Sequence, residues 1–230
     1  MPAIRTIGAV TFLIVGLFLC SGCASKESPA KTVRITPSSL FTGDLARLEP
    51  HLGWESGCFK VSYPAGPPVG LDVVVDKWQG GKRSFGGSMR VPEQPAPFTG
   101  EISVTVQPAL NPDDGKPALR LVKSLVLTPG SGSFSGRSSS SCIVTRPPEK
   151  PLKTGVKETE TLVRQIEKIV EASEGQEIAL WGLMFQENKQ PELLNHSRGE
   201  SIEETAKRSD FAIVIKLRIK EERKPEQGTD

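Results

Sequence analysis

Few residues of this chain are of a type and spacing that could do chemistry. The two histidines, His51 and His196, stand far apart, and neither lies in an H-x-x-x-H spacing that would put two ligands on one helix face. Each reads as a surface residue. A zinc site would have to recruit Cys58 and Cys142 as thiolates, and exported proteins tend to oxidise such a pair instead. Gly132-Ser133-Phe134-Ser135-Gly136 puts serine in the wrong place for the G-x-S-x-G turn of a serine hydrolase. Gln79-Gly80-Gly81-Lys82-Arg83 fails as a phosphate loop, because Asp76 stands where that loop needs glycine and Arg83 where it needs serine or threonine. Asn111-Pro112-Asp113-Asp114-Gly115 lacks the alternating oxygen ligands of a calcium loop and reads as a turn between strands. No catalytic residue, metal or cofactor is implied.

Aromatic rings are the remaining candidates, since a glycan-binding face would expose them. Trp181 lies in an apolar run and reads as core. Trp78 stands opposite the Leu71, Val73 and Val75 face of its strand and is the ring most free to be exposed. With an aromatic content of 6%, support for a carbohydrate binder is thin.

The N-terminus is more explicit. Arg5 precedes 14 uncharged residues, 7–20, and then small residues follow, which is the layout of a secretory signal. The run is shorter than the roughly 20 apolar residues a membrane-crossing helix needs. Leu19-Cys20-Ser21-Gly22-Cys23 resembles the lipobox of bacterial lipoproteins, in which an apolar residue and two small ones precede an obligatory cysteine. It departs from that pattern at Cys20, which stands where leucine is usual. The resemblance implies cleavage before Cys23, acylation of that cysteine and anchoring in a bacterial membrane. The plainer alternative is an ordinary signal cut after Gly22 or Ala24, giving a soluble secreted protein. More than one acyl chain gives stable anchoring, where a single chain would be reversible.

Charge is nearly balanced, with 29 basic and 27 acidic side chains, so the chain carries no electrostatic footprint for nucleic acid. With Cys20 cleaved off and Cys23 acylated, Cys58 and Cys142 remain, either as a disulfide or as two unrelated buried thiols.

The elements that would position any site read as mainly β, an antiparallel sandwich with one or two short helices in the C-terminal half. Alternation predicts strands at Cys58–Tyr63, Leu71–Trp78, 82–90, Gly100–Pro108, Leu119–Leu127 and Phe211–Lys220. Gly80-Gly81 marks a tight hairpin turn. Glu177–Phe185 is apolar throughout and reads as a buried central strand. Ser201 with Glu204 has capping-box spacing for a short helix. Leu162, Val163, Ile166, Ile169 and Val170 follow a helical stripe. The Ser/Gly stretch 129–142 reads as a loop. The divisions expected are a signal peptide over 1–22, a polar tether over 23–44, the folded domain over 45–220 with a possible sub-boundary at 146–155, and a polar tail over 221–230.

The expected protein is therefore a non-catalytic, lipid-anchored component of the bacterial cell envelope. It would sit on a membrane through Cys23, facing the exported side, with a binding or structural role. A carbohydrate- or cell-wall-binding module is the first alternative and a hydrolase with an unfamiliar site the second. Contacts with an envelope protein or glycan would fall on Trp78, on Leu193 and Leu194 in the loop 186–200, or on an edge strand at Phe211–Lys220.

Overall fold

A computed structural model describes residues 32–47, 52, 54–130, 136–145, 159–187 and 199–220 of the 230-residue chain. The strands are β1 (Thr32–Ser38), β2 (Glu55–Tyr63), β3 (Val69–Gln79), β4 (Lys82–Gln94), β5 (Phe98–Leu110), β6 (Pro117–Pro129), β7 (Gly136–Thr145), β8 (Thr159–Gln165), β9 (Val170–Ser173), β10 (Glu177–Glu187) and β11 (Phe211–Lys220). In the C-terminal half, one α-helix among the described residues, α1 (Ile202–Arg208), lies between β10 and β11. The first sheet runs β7-β6-β5-β2-β1-β9 and the second β4-β3-β11-β10-β8, with antiparallel pairing throughout. The β-sandwich expected from the alternation is what the chain forms.

Alternation explains the core. Phe211, Ile213, Ile215, Leu217 and Ile219 project from one face of β11 and meet Leu71, Val73 and Val75 of β3, Ile102 and Val104 of β5, and Leu121 and Leu125 of β6. Trp181 is fully buried, and its indole Nε1 donates to the Ser56 carbonyl at 3.1 Å, tying the second sheet to the first. Gly57 leaves the ring its room, because a Cβ there would meet Trp181 Cδ1 at 2.5 Å. Gly80 and Gly81 take φ of +53° and +79° between the paired Gln79 and Lys82, the geometry of a two-residue hairpin turn that only glycine adopts freely.

Five expectations are corrected. Residues 32–38, expected in a tether, form β1, in which Val33 and Ile35 alternate inward and are fully buried. The helical stripe at 162–170 is instead β8 and β9, in different sheets. Val163 packs on the main core while Leu162 packs on a second cluster outside the sheet, so adjacent apolar residues reflect burial on both faces of one strand. The serine run Ser138–Ser141 lies in β7, drawn into the sheet by its pairing with β6. β11 is flanked by β3 and β10 and is no edge strand; in the second sheet β4 and β8 are the edges. Finally, the sub-boundary at 146–155 does not divide the fold, since β9 lies beside β1 and β11 beside β3.

Candidate functional site

The outer face of the second sheet carries the densest chemistry among the described residues. On β3 and β11 the outward positions are Asp72, Val74, Asp76 and Trp78, and Ala212, Val214, Lys216, Arg218 and Lys220. Helix α1 lies across part of this face. Its start is fixed by a capping box: Ser201 Oγ accepts from the Glu204 backbone N–H at 3.2 Å, and Glu204 Oε2 accepts from the Ser201 N–H at 2.9 Å. Ile202 and Ala206 pack with Met184, Ala212 and Val214 into a small second core. The close approach needs Gly182, where a Cβ would meet Met184 Cε at 2.7 Å and Ile202 Cγ2 at 2.8 Å.

Beside this core lies a network of ionised side chains. The Lys216 ammonium, 2% exposed, is 2.8 Å from Asp76 Oδ2 and 3.0 Å from Glu177 Oε1, and it also pairs with Glu203 of α1. Arg83 of β4 reaches Asp76 Oδ2 at 2.8 Å and Glu177 Oε1 at 2.9 Å. Arg218 closes on Glu177 Oε2 through Nη2 at 2.6 Å and Nε at 2.9 Å. Three carboxylates thus face three cations from four strands and the helix. A lesser group sits alongside, where Asp72 meets Lys220 at 3.3 Å and Arg90 at 3.6 Å.

The electrostatics follow from competition between burial and pairing. Burial pushes the Glu177 carboxyl up, but hydrogen bonds from Arg218 and Lys216 outweigh it and hold the group at about 2. Burial pushes the Lys216 ammonium down, but its bonds to Asp76, Glu203 and Glu177 reverse the direction and raise it. Glu177 is therefore a fixed anion at neutrality, unsuited to be a general base. The oxygens of Asp76, Glu177 and Glu203 lie within 4.8 Å of one another, a spacing that could hold a cation. The cation they surround is the Lys216 ammonium itself. The arrangement clamps α1 to the sheet.

A groove of about 990 Å³ adjoins the network, between β8, β10 and the start of α1. Leu162, Ile166, Ile178 and Ile202 supply its apolar wall and Glu177 and Glu203 its charged end.

The structure treats the sequence candidates unequally. Trp78 does stand opposite the core face, but it is half-buried against the cluster under α1, and its Nε1 is buried without a partner. Trp54, 37% exposed, leads into β2 of the other sheet. Trp78 thus lies on the second sheet and Trp54 beside the first. Cys58 and Cys142 are free thiols, which corrects their pairing. They lie on β2 and β7, with β5 and β6 between them. Three strand spacings of about 4.8 Å exceed the roughly 7 Å that a disulfide allows between Cα atoms. Burial, followed by neighbouring Glu101, pushes the Cys58 thiol up to about 11. Cys23, His51, Leu193, Leu194 and His196 lie outside the described residues. Sequence reasoning missed Asp76, Glu177 and Lys216 as a group, although the charged outer positions of β11 were visible in its alternation.

No protein-family model matches the chain, and neither does any curated protein or solved structure. What the molecule does must be read from its own residues.

Proposed function

We propose that this protein is a non-catalytic lipoprotein of a bacterial cell envelope, held on a membrane by acyl chains on Cys23 and presenting its β-sandwich as a binding or structural module. The observation that carries the reading is Leu19-Cys20-Ser21-Gly22-Cys23 at the end of a charge-free apolar run behind Arg5. The character of the folded part is consistent with it: the densest polar cluster is internally neutralised and fastens a helix, as befits a rigid scaffold. Expressed in a bacterium fed a labelled fatty acid, the chain should incorporate label and fractionate with membranes. Cys23→Ser should abolish labelling and leave the precursor uncleaved. A Cys23→Ser protein processed and released at normal size would defeat the proposal.

A further inference from the structure

The inner face of the first sheet contains a polar pair that the fold does not account for. Lys123 of β6 lies on the same face as Leu121 and Leu125, is 4% exposed, and forms no ion pair among the described residues. Burying an amine without a carboxylate is costly, and lysine is rarely found so placed. Its neighbour on that face is a thiol. Cys142 of β7 pairs directly with Leu121 and packs half-buried against the core, while Lys123 pairs with Ser140. Cys142 and Lys123 are therefore diagonal neighbours on adjacent strands, a separation of about 7–8 Å between backbones that a lysine side chain spans.

We propose that Lys123 and Cys142 form a peroxide-responsive covalent switch, in which oxidised Cys142 is captured by the Lys123 amine as a sulfenamide linking β6 to β7. The Cys142 sulfur attacks one oxygen of hydrogen peroxide, the O–O bond breaks, and a sulfenic acid and water result; sulfur is oxidised and peroxide reduced. The Lys123 Nζ lone pair then attacks that sulfur, the S–O bond breaks, and the departing hydroxide takes a proton from nitrogen. One thiol, one amine and one peroxide give one S–N bond and two waters. Condensation of a sulfenic acid with a backbone nitrogen is established cysteine chemistry, and a neutral lysine amine is a stronger nucleophile than an amide nitrogen. Burial lowers the Lys123 pKa, opposed by the Cys142 thiol, which enlarges the neutral, nucleophilic fraction of the amine. Cys58, by contrast, lies two strands away from β6, on the outer side of β2, out of reach of Lys123. Because β7 is the edge of the first sheet and pairs with β6 alone, the link would staple that edge in place.

The test treats the folded full-length chain with hydrogen peroxide and maps peptides by mass spectrometry without reduction. The expected product joins the Lys123 and Cys142 peptides, has lost two hydrogens relative to their sum, and disappears on treatment with dithiothreitol. It should be absent in Lys123→Met and in Cys142→Ser. Peptide mapping of the unsubstituted protein decides the matter even if a variant does not fold. An unmodified Cys142, a sulfinic acid, a dimedone-trapped sulfenic acid without the link, or a link to another amine would each overturn the proposal.

Discussion

Glu177 is held by Lys216, Arg83 and Arg218, and its ionisation should be visible in stability. Its carboxyl titrates at about 2 in the fold against an ordinary 4.5, so the native state favours the anion. A depressed folded pKa contributes stability that is fully present above about pH 4.5 and is lost as pH falls towards 2, amounting to about 3 kcal/mol at most. For Lys216 the sign is opposite: its raised pKa gives stability present below its ordinary 10.5 and lost as pH rises through the folded value. Urea unfolding measured between pH 7 and 2 should show this acid limb, and Glu177→Gln should flatten it while lowering stability at pH 7. An unchanged acid limb in that variant would show that the carboxyl is not held as described. The network was only half legible in sequence. Period-two spacing put Lys216 and Arg218 on the outer face of β11, but Asp76, Glu177 and Glu203 come from three other elements, and their convergence depends on strand order.

Helix α1 depends on a missing side chain. A valine at Gly182 would bring branched carbon into the space now filled by Met184 Cε and Ile202 Cγ2, at 2.7 and 2.8 Å from the first added atom. Overpacking of this sort costs about 1–3 kcal/mol. Gly182→Val should therefore lower the denaturation midpoint and strip protection from α1 amides in hydrogen exchange, leaving the amides of β5 and β6 protected. Equal loss across both sheets would mean that the helix does not dock as an independent layer. The helix itself was readable, because a capping box is a local device written in four residues. β8 was not, because a strand covered on both faces loses its alternation, and Leu162-Val163 followed by Ile166 then imitates a helical stripe. β1 hid for the opposite reason: it is short, and two inward residues among Thr, Arg, Pro and Ser look like a linker until β2 and β9 enclose them.

At the scale of the molecule, the two halves of the chain cannot be separated. β9 lies against β1 in the first sheet, and β10 and β11 supply the centre of the second. A fragment of residues 31–145 would leave β3 without its inner partner and expose Leu71, Val73 and Val75, which are fully buried in the whole chain. It is expected to aggregate or to lack cooperative unfolding by circular dichroism and size-exclusion chromatography. A monomeric fragment with a sharp thermal transition would restore the domain boundary at 146–155. The class of fold was legible because many alternating strands separated by turns leave few other architectures. Strand order was not, since pairings such as β3 with β11 join residues far apart in the chain, and no local pattern encodes them.

The position of β11 has a further consequence in time. It is the last strand among the described residues, and it lies third of five in its sheet. A chain that emerges with its N-terminus first, from a ribosome or through a narrow channel, can pair β3 with β4 early but must leave the other flank of β3 open until the final described residues arrive. Completion of the second sheet therefore waits on Phe211–Lys220, long after β3 and β4 have been made.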